Sequence, residues 1–452
     1  MLTYQLKKAP GVPLYEALYR CIRDDILSGK LSPGEKLPSK RTLCANLKVS
    51  KITVEGAYNQ LLSEGYICSR EKVGYFVETI ERAKPISAPQ PKAEPEPDHC
   101  IDLTGNGPAK FPFSVWNKLQ REVMLDLGEQ LLLEPPNQGL YALRQAIAGH
   151  LSQFRAMQVD PENILIGAGT DFLYNLLIQL LGSDKLYAVE EPGYGKIPMI
   201  YRAAGARCVH APLDQLGVRL DGLQDAQVLH ISPSHHFPTG IITPLTRRHA
   251  LLQWAKAAPD RWIIEDDYDS EFRFAAHPMP TMQSLDSSRV IYMNTFSKTL
   301  APSIRISYMV LPPVLMADFR KKLGFYSCTV PSFEQHTLAR FLDRGHFEKH
   351  INRMRKYYKA RRDRMLAALS PLQDRVMIQE QNAGLHFLLQ VKTSQPDQAL
   401  VARLEQLGVR TRALSSYYQG SAPSSADHCL VINYSGLSDD QLALLEEKLK
   451  TI

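Results

Sequence analysis

Lys298 closes the run Asn294-Thr295-Phe296-Ser297-Lys298, and Arg305 follows seven residues later, so one amine stands among hydroxyls and a guanidinium. An amine can condense with an aldehyde, while hydroxyls and a guanidinium can hold a phosphate. Other groups complement this set upstream. Gly169-Thr170 lies after the run Ile164-Leu165-Ile166 and before an apolar helical pattern from Phe172, so backbone N–H groups at a helix start would face an anion there. Asp266 comes at the end of Trp262-Ile263-Ile264, and Tyr268, two residues on, falls on the same side of an extended segment. Tyr194, in Glu191-Pro192-Gly193-Tyr194, offers an aromatic face after another strand-like run.

A lysine-bound aldehyde on a pyridine ring acts as an electron sink when its phosphate is pinned, its ring nitrogen protonated and its phenolic oxygen hydrogen-bonded. Each need has its residues. Gly169, Thr170, Thr295, Ser297 and Arg305 serve the phosphate, Asp266 the nitrogen and Tyr268 the phenolic oxygen. Tyr194 would stack on the ring, and the loop Pro233 to Gly240, with His235 and His236, would close the far side. This is the outline of a pyridoxal phosphate site, with Lys298 as its Schiff-base residue. Each element alone is weak; what carries the reading is that every one follows a predicted strand.

Those strands are Ile164 to Ile166, Lys185 to Val189, Val228 to Ile231, Trp262 to Ile264, Val290 to Met293 and Ile306 to Leu311. Helical patterns alternate with them, which predicts a largely parallel sheet covered by helices, with ligands at the carboxyl ends of its strands.

The N-terminal part is built differently. Leu14, Leu18, Ile22 and Ile26 line one face of a predicted helix that stops at Gly29. Ser39 is placed to cap a second helix to Leu47, and Ser50 a third to Glu64. Two short strands, Tyr66 to Cys68 and Tyr75 to Val77, flank a polar turn with Arg70, Lys72 and Gly74. Three helices and a hairpin predict a winged helix-turn-helix. Ser39, Arg41, Ser50, Lys51, Thr53, Lys72 and Gly74 are its candidate DNA-contacting residues. Residues 1–80 carry 12 Lys/Arg against 8 Asp/Glu, so +4 of the chain's net +6 lies there.

Between the parts, Ala83 to Pro97 holds five prolines and little that could pack, which predicts an extended linker. The expected organisation is a DNA-binding head over 1–80, a linker over 81–99, a large cofactor-binding domain over 100–330 and a small domain over 331–452. Among 452 residues the seven cysteines are scattered, with no Cys-x-x-Cys pair, and predict neither a disulfide framework nor a metal site. The expected compartment is a reducing cytoplasm, and no membrane segment is expected.

Gly34-Glu35-Lys36-Leu37-Pro38-Ser39-Lys40-Arg41, Val49 to Val54 and Glu64 to Ile67 resemble the GntR family of transcription regulators. The body resembles the aspartate-aminotransferase-like pyridoxal phosphate enzymes of fold type I. The two joined resemble the MocR regulators. That resemblance implies an α/β protein in which an aminotransferase-like domain senses a small molecule, a double-stranded DNA operator as partner, and a homodimer. It also implies an arginine clamp for a substrate carboxylate on a strand near the C-terminus, but Val431 stands at that position. Arg410 and Arg412 are the alternative candidates for the effector, which is either an amino compound or pyridoxal phosphate itself. Phe237 stands where transaminases tend to place an asparagine on the phenolic oxygen. The competing expectation is an active aminotransferase with an accessory DNA-binding head.

Overall fold

The computed structural model describes residue 4 and residues 13–71, 73–79, 101–105, 110–223, 225–272, 279–379 and 384–449. Lys72 and the expected linker, 81–99, lie outside the described residues. The chain divides into two compact units, Met1–Pro97 and Asp98–Ile452.

In the first unit α1 spans Leu14–Ser28, α2 Lys40–Leu47 and α3 Lys51–Ser63. Leu18, Ile22 and Ile26 of α1 meet Leu43 of α2 and Val54, Ala57, Tyr58 and Leu61 of α3 in one buried cluster. Each buried aliphatic side chain contributes about 1.5–3 kcal/mol. Gly29 ends α1 in the left-handed conformation at φ 81°, and its N–H donates to the Ile26 carbonyl. The hairpin strands β1 (Ile67–Arg70) and β2 (Gly74–Val77) run antiparallel, with Arg70 opposite Gly74. They are longer than the apolar alternation predicts because main-chain pairing continues to the edge of the turn, where no side chain needs burial.

The second unit holds an eight-stranded sheet in the order Ile164–Gly167, Ser307–Val310, Val290–Thr295, Trp262–Asp266, Val228–Ile231, Leu186–Glu191, Arg207–Asp214, Gly217–Val218. The five strands from Val290–Thr295 to Arg207–Asp214 are parallel neighbours. Antiparallel pairings complete both edges. All six sequence-predicted strands lie in this sheet, along with two that periodicity did not reveal. In Arg207–Asp214 the apolar residues are interrupted by His210 and Pro212 and only Ala211 is buried, so it lacks the apolar run of a central strand.

Ile263 and Ile264, consecutive in one strand, enter different clusters. Ile263 packs with Leu251, Leu252 and Ala255 of helix Leu245–Lys256. Ile264 packs with Leu173 and Leu177 of helix Thr170–Leu181 and with Phe319 of helix Pro313–Leu323. Side chains that alternate into two cores show that both faces of the sheet are covered.

A second, antiparallel sheet has the order Val376–Gln379, His386–Val391, Cys429–Asn433, Arg412–Ala413. Val409–Arg410 pairs in parallel with Ile101–Asp102, tying the start of the unit to its C-terminal part. Among the described residues no helix is long and apolar enough to cross a membrane.

Candidate functional site

A cavity of about 400 Å³ opens at the carboxyl ends of the parallel strands. Thr170, Tyr194, Asp266, Tyr268, Thr295, Ser297, Lys298 and Arg305 all line it. Gly169 stands behind Arg305. It caps helix Thr170–Leu181 at φ 90°, and a Cβ there would lie 2.2 Å from Arg305 Nη2, so the guanidinium takes the space a side chain would need. Arg305 itself adopts φ 49° and reaches Asp171 Oδ2 at 3.5 Å.

Lys298 sits in a short helix, Phe296–Thr299, directly after strand Val290–Thr295. Burial holds its amine below the usual lysine range, opposed by the nearby carboxylates of Asp269 and Asp266. Thr295 caps that helix by accepting from the Ser297 N–H at 3.1 Å and receives the Ser307 hydroxyl at 2.7 Å. Ser297 Oγ is buried with no partner among the described residues.

Asp266 is buried where its strand ends. One carboxylate oxygen, Oδ2, accepts the Tyr174 hydroxyl at 2.5 Å and lies 3.5 Å from His230 Nε2; Tyr201 in turn bonds His230 Nδ1 at 2.6 Å. The other, Oδ1, has no partner among the described residues. Burial and then Asp266 push the Tyr174 phenol far above its ordinary range, so it remains a donor. A carboxylate with one oxygen held and the other idle suits the N–H of a protonated heterocycle. With the guanidinium at Gly169, the idle Ser297 hydroxyl and the buried amine, the site fits a pyridine ring bearing an aldehyde and a phosphate.

The acidic run Glu265 to Glu271 would ordinarily be a solvated turn, yet Glu265, Asp266, Asp267, Asp269 and Glu271 are all buried. Each has partners. Glu265 accepts the N–H groups of Met282 and Gln283 at 2.9 Å and lies 3.7 Å from the buried Arg248 guanidinium. Asp267 pairs with Arg155 at 2.8 Å. Asp269 Oδ2 meets His235 Nδ1, also at 2.8 Å.

Sequence reasoning missed several cavity residues. Tyr174 stands four residues after Thr170, one helical turn on, and His230 is a polar residue inside an apolar strand; both signals were present. Glu190 was less visible. Burial raises its carboxyl to about 8, and it lies 3.5 Å from His236, which burial lowers to about 3. His386, from the smaller sheet, also lines the cavity.

A segment of the C-terminal part closes over the mouth. Glu191 Oε1 accepts the N–H groups of Gln419 at 2.7 Å and Gly420 at 3.2 Å, and Gly193 N–H donates to the Tyr417 carbonyl at 3.3 Å. The Tyr417 ring packs on Phe237, centroids 5.3 Å apart. Val431 is buried behind them in an apolar cluster with Leu388 and Leu414. Neither Arg410 nor Arg412 lines the cavity: both are exposed, Arg410 reaches Asp102 at 3.8 Å, and Arg412 lies within electrostatic reach of Tyr417 at the mouth.

In the head, Ser39 accepts the Thr42 N–H at 3.1 Å and Ser50 the Thr53 N–H at 3.2 Å, so both serines cap helices as expected. Arg41 and Lys51 are exposed, and Lys51 lies 3.7 Å from Glu55. Gly74 adopts φ 132° at the start of β2. Ile52, beside Lys51 at the start of α3, is 80% exposed, which no packing pattern predicts.

Residues 98–449 match the family Aminotransferase class I and II, and residues 14–77 match Bacterial regulatory proteins, gntR family. The HTH-type transcriptional regulator YdeL of Bacillus subtilis, itself uncharacterized, is 36% identical over 99% of this chain and 98% of its own length. The probable rhizopine catabolism regulatory protein MocR of Rhizobium meliloti is 32% identical over 96% and 92%. The chain belongs to the MocR subfamily of GntR transcription regulators. The HTH-type pyridoxine biosynthesis transcriptional regulator PdxR of Corynebacterium glutamicum is 31% identical over 93% of this chain and 92% of its own length. Among solved structures, an archaeal alanine:glyoxylate aminotransferase superposes with a TM-score of 0.69 at 24% identity, covering 78% of this chain and 90% of its own. This MocR-type chain therefore joins a DNA-binding head to an aminotransferase fold.

Proposed function

We propose that this regulator holds pyridoxal 5'-phosphate on Lys298 and changes its hold on a DNA operator when a small amine, or the cofactor itself, occupies the cavity. The observation that carries the reading is the convergence of a buried amine, a half-partnered carboxylate and a guanidinium seated against a glycine on one cavity. When bound, the cofactor supplies an aldehyde that exchanges one amine for another and a ring that draws electrons from the carbon so attached.

The chain's own groups do the rest. Arg305 would offset the charge of the phosphate, and Thr295, Ser297 and the N–H groups after Gly169 would hydrogen-bond it, Thr170 standing at the first turn of that helix. Asp266, pinned by Tyr174, keeps a proton on the ring nitrogen. Tyr268, on the cavity wall, would donate to the phenolic oxygen. Tyr194, half exposed at the mouth, covers the ring. With Val431 in an apolar cluster rather than an arginine on the cavity, no carboxylate clamp comes from that strand, which favours sensing over turnover.

In the head, Ser39 and Ser50 present helix starts to phosphates, and Arg41, Lys51, Thr53 and Gly74 approach the DNA. Two heads in a homodimer would read half-sites spaced by a helical turn or a multiple.

The test combines colour with DNA binding. Purified protein is titrated with pyridoxal phosphate and a panel of amines and amino acids, and its affinity for duplex DNA from upstream of its own reading frame is measured in parallel. A visible band absent in Lys298→Ala, together with a ligand response of DNA binding lost in that variant, is the expected result. Rapid conversion to pyridoxamine phosphate with an amino donor would favour the active aminotransferase instead. Protein that stays colourless after soaking in the cofactor would refute the reading.

A further inference from the structure

Tyr268 has one hydrogen to give, and its direction decides whether it serves the cavity. Its hydroxyl oxygen lies 3.4 Å from His235 Nδ1. That same nitrogen lies 2.8 Å from Asp269 Oδ2, with both side chains buried. A carboxylate accepts, so the proton of the imidazole belongs on Nδ1. Tyr268 then faces an N–H rather than a lone pair. Its oxygen can take a weak second branch of that bond, and its own hydrogen must turn elsewhere.

The ring of His235 is held from the far side as well. Gly384 adopts φ 69°, and a Cβ there would stand 1.8 Å from His235 Cε1 and 2.4 Å from Nδ1. The Gly384 carbonyl accepts the Tyr434 hydroxyl at 2.7 Å, and its N–H donates to Phe272 O at 3.1 Å. The His386 ring lies 4.8 Å from that of His235. Phe237, two residues on, offers no polar group.

We propose that the Asp269–His235 pair is the positioning device of the cofactor's phenolic end: it fixes the imidazole tautomer and so aims the Tyr268 hydrogen into the cavity. This rests on the cofactor reading above. The titratable groups facing His235 are Asp269, Tyr268, His386 and its neighbour His236. Tyr268 itself lies among Asp266, Asp267, Asp269 and Glu190.

The test follows the visible band of cofactor-loaded, full-length protein as a function of pH. Donation to the phenolic oxygen favours the deprotonated chromophore, so losing it moves the titration midpoint up. In His235→Phe the midpoint should rise by about one unit, the scale of one hydrogen bond's differential effect. His235→Asn, which restores an N–H near Nδ1, should return it toward wild type. In a Tyr268→Phe background His235→Phe should add nothing, as expected of a residue acting through the tyrosine. If His235→Phe fails to fold, Gly384→Ala keeps the imidazole but displaces it and should raise the midpoint in the same sense. An unchanged midpoint in the folded variant, or a full additional shift in the Tyr268→Phe background, overturns the proposal. A colourless wild-type protein would instead overturn the cofactor reading, so the two failures are told apart.

Discussion

The guanidinium of Arg305 occupies the space in front of Gly169, where a β-carbon would approach Nη2 to 2.2 Å. The glycine is needed twice, for its φ of 90° and for that vacancy.

Gly169→Ala should therefore displace Arg305 from the helix start. The dissociation constant for pyridoxal phosphate, measured by absorbance titration, should rise at least about tenfold, as for losing one good charge-assisted bond. The amine of Lys298 is untouched, so the band at saturating cofactor should keep its position.

Glu190 and His236 give a signed dependence on pH. The Glu190 carboxyl is raised by burial to about 8, so the unfolded chain releases this proton from about pH 4.5 upward while the folded chain keeps it. Its burial thus costs little below pH 4.5 and increasingly more as pH rises toward 8. His236, lowered to about 3, has the opposite slope and costs stability as pH falls below 6.5. Glu190→Gln removes the first slope alone. Its stability relative to wild type, from denaturant melts, should improve by about 3 kcal/mol between pH 5 and pH 7.5.

Arg155 and Asp267 form a buried pair at 2.8 Å. Burial would lower the Arg155 guanidinium, but Asp267 and the neighbouring acids outweigh it and raise it above its ordinary range. Arg155→Met should destabilise the unit by about 3 kcal/mol because it strands a carboxylate away from water. A melt unchanged from wild type would refute that assignment.

At the head, Ile52 and Lys51 should fail differently. Ile52→Ala should weaken binding to the preferred operator more than to unrelated duplex, since an exposed apolar side chain can meet a thymine methyl. Lys51→Ala should weaken both alike and reduce the salt slope of binding by about one. Fluorescence anisotropy at several salt concentrations separates the two.

The site's outline was legible because its groups sit at strand ends, and strand ends are marked by where apolar runs stop. Lys298, Asp266 and Gly169 could each be placed that way. What stayed hidden was pairing across the chain. His235 gains meaning from Asp269, 34 residues away, and from Gly384, farther still. The run Glu265 to Glu271 looks soluble in one dimension and is buried in three, because Arg155, Arg248 and main-chain N–H groups arrive from other elements. Arg410 and Arg412 were hard to place for the converse reason. A strand of two residues carries no periodicity, so the face each would present was unreadable.

The segment across the cavity mouth is fastened to Glu191 and Gly193 through peptide groups of residues 417, 419 and 420. Every residue supplies a carbonyl, and every residue but proline an N–H. Closure and taste can thus evolve apart: new side chains there could greet a different visitor while the door still shuts.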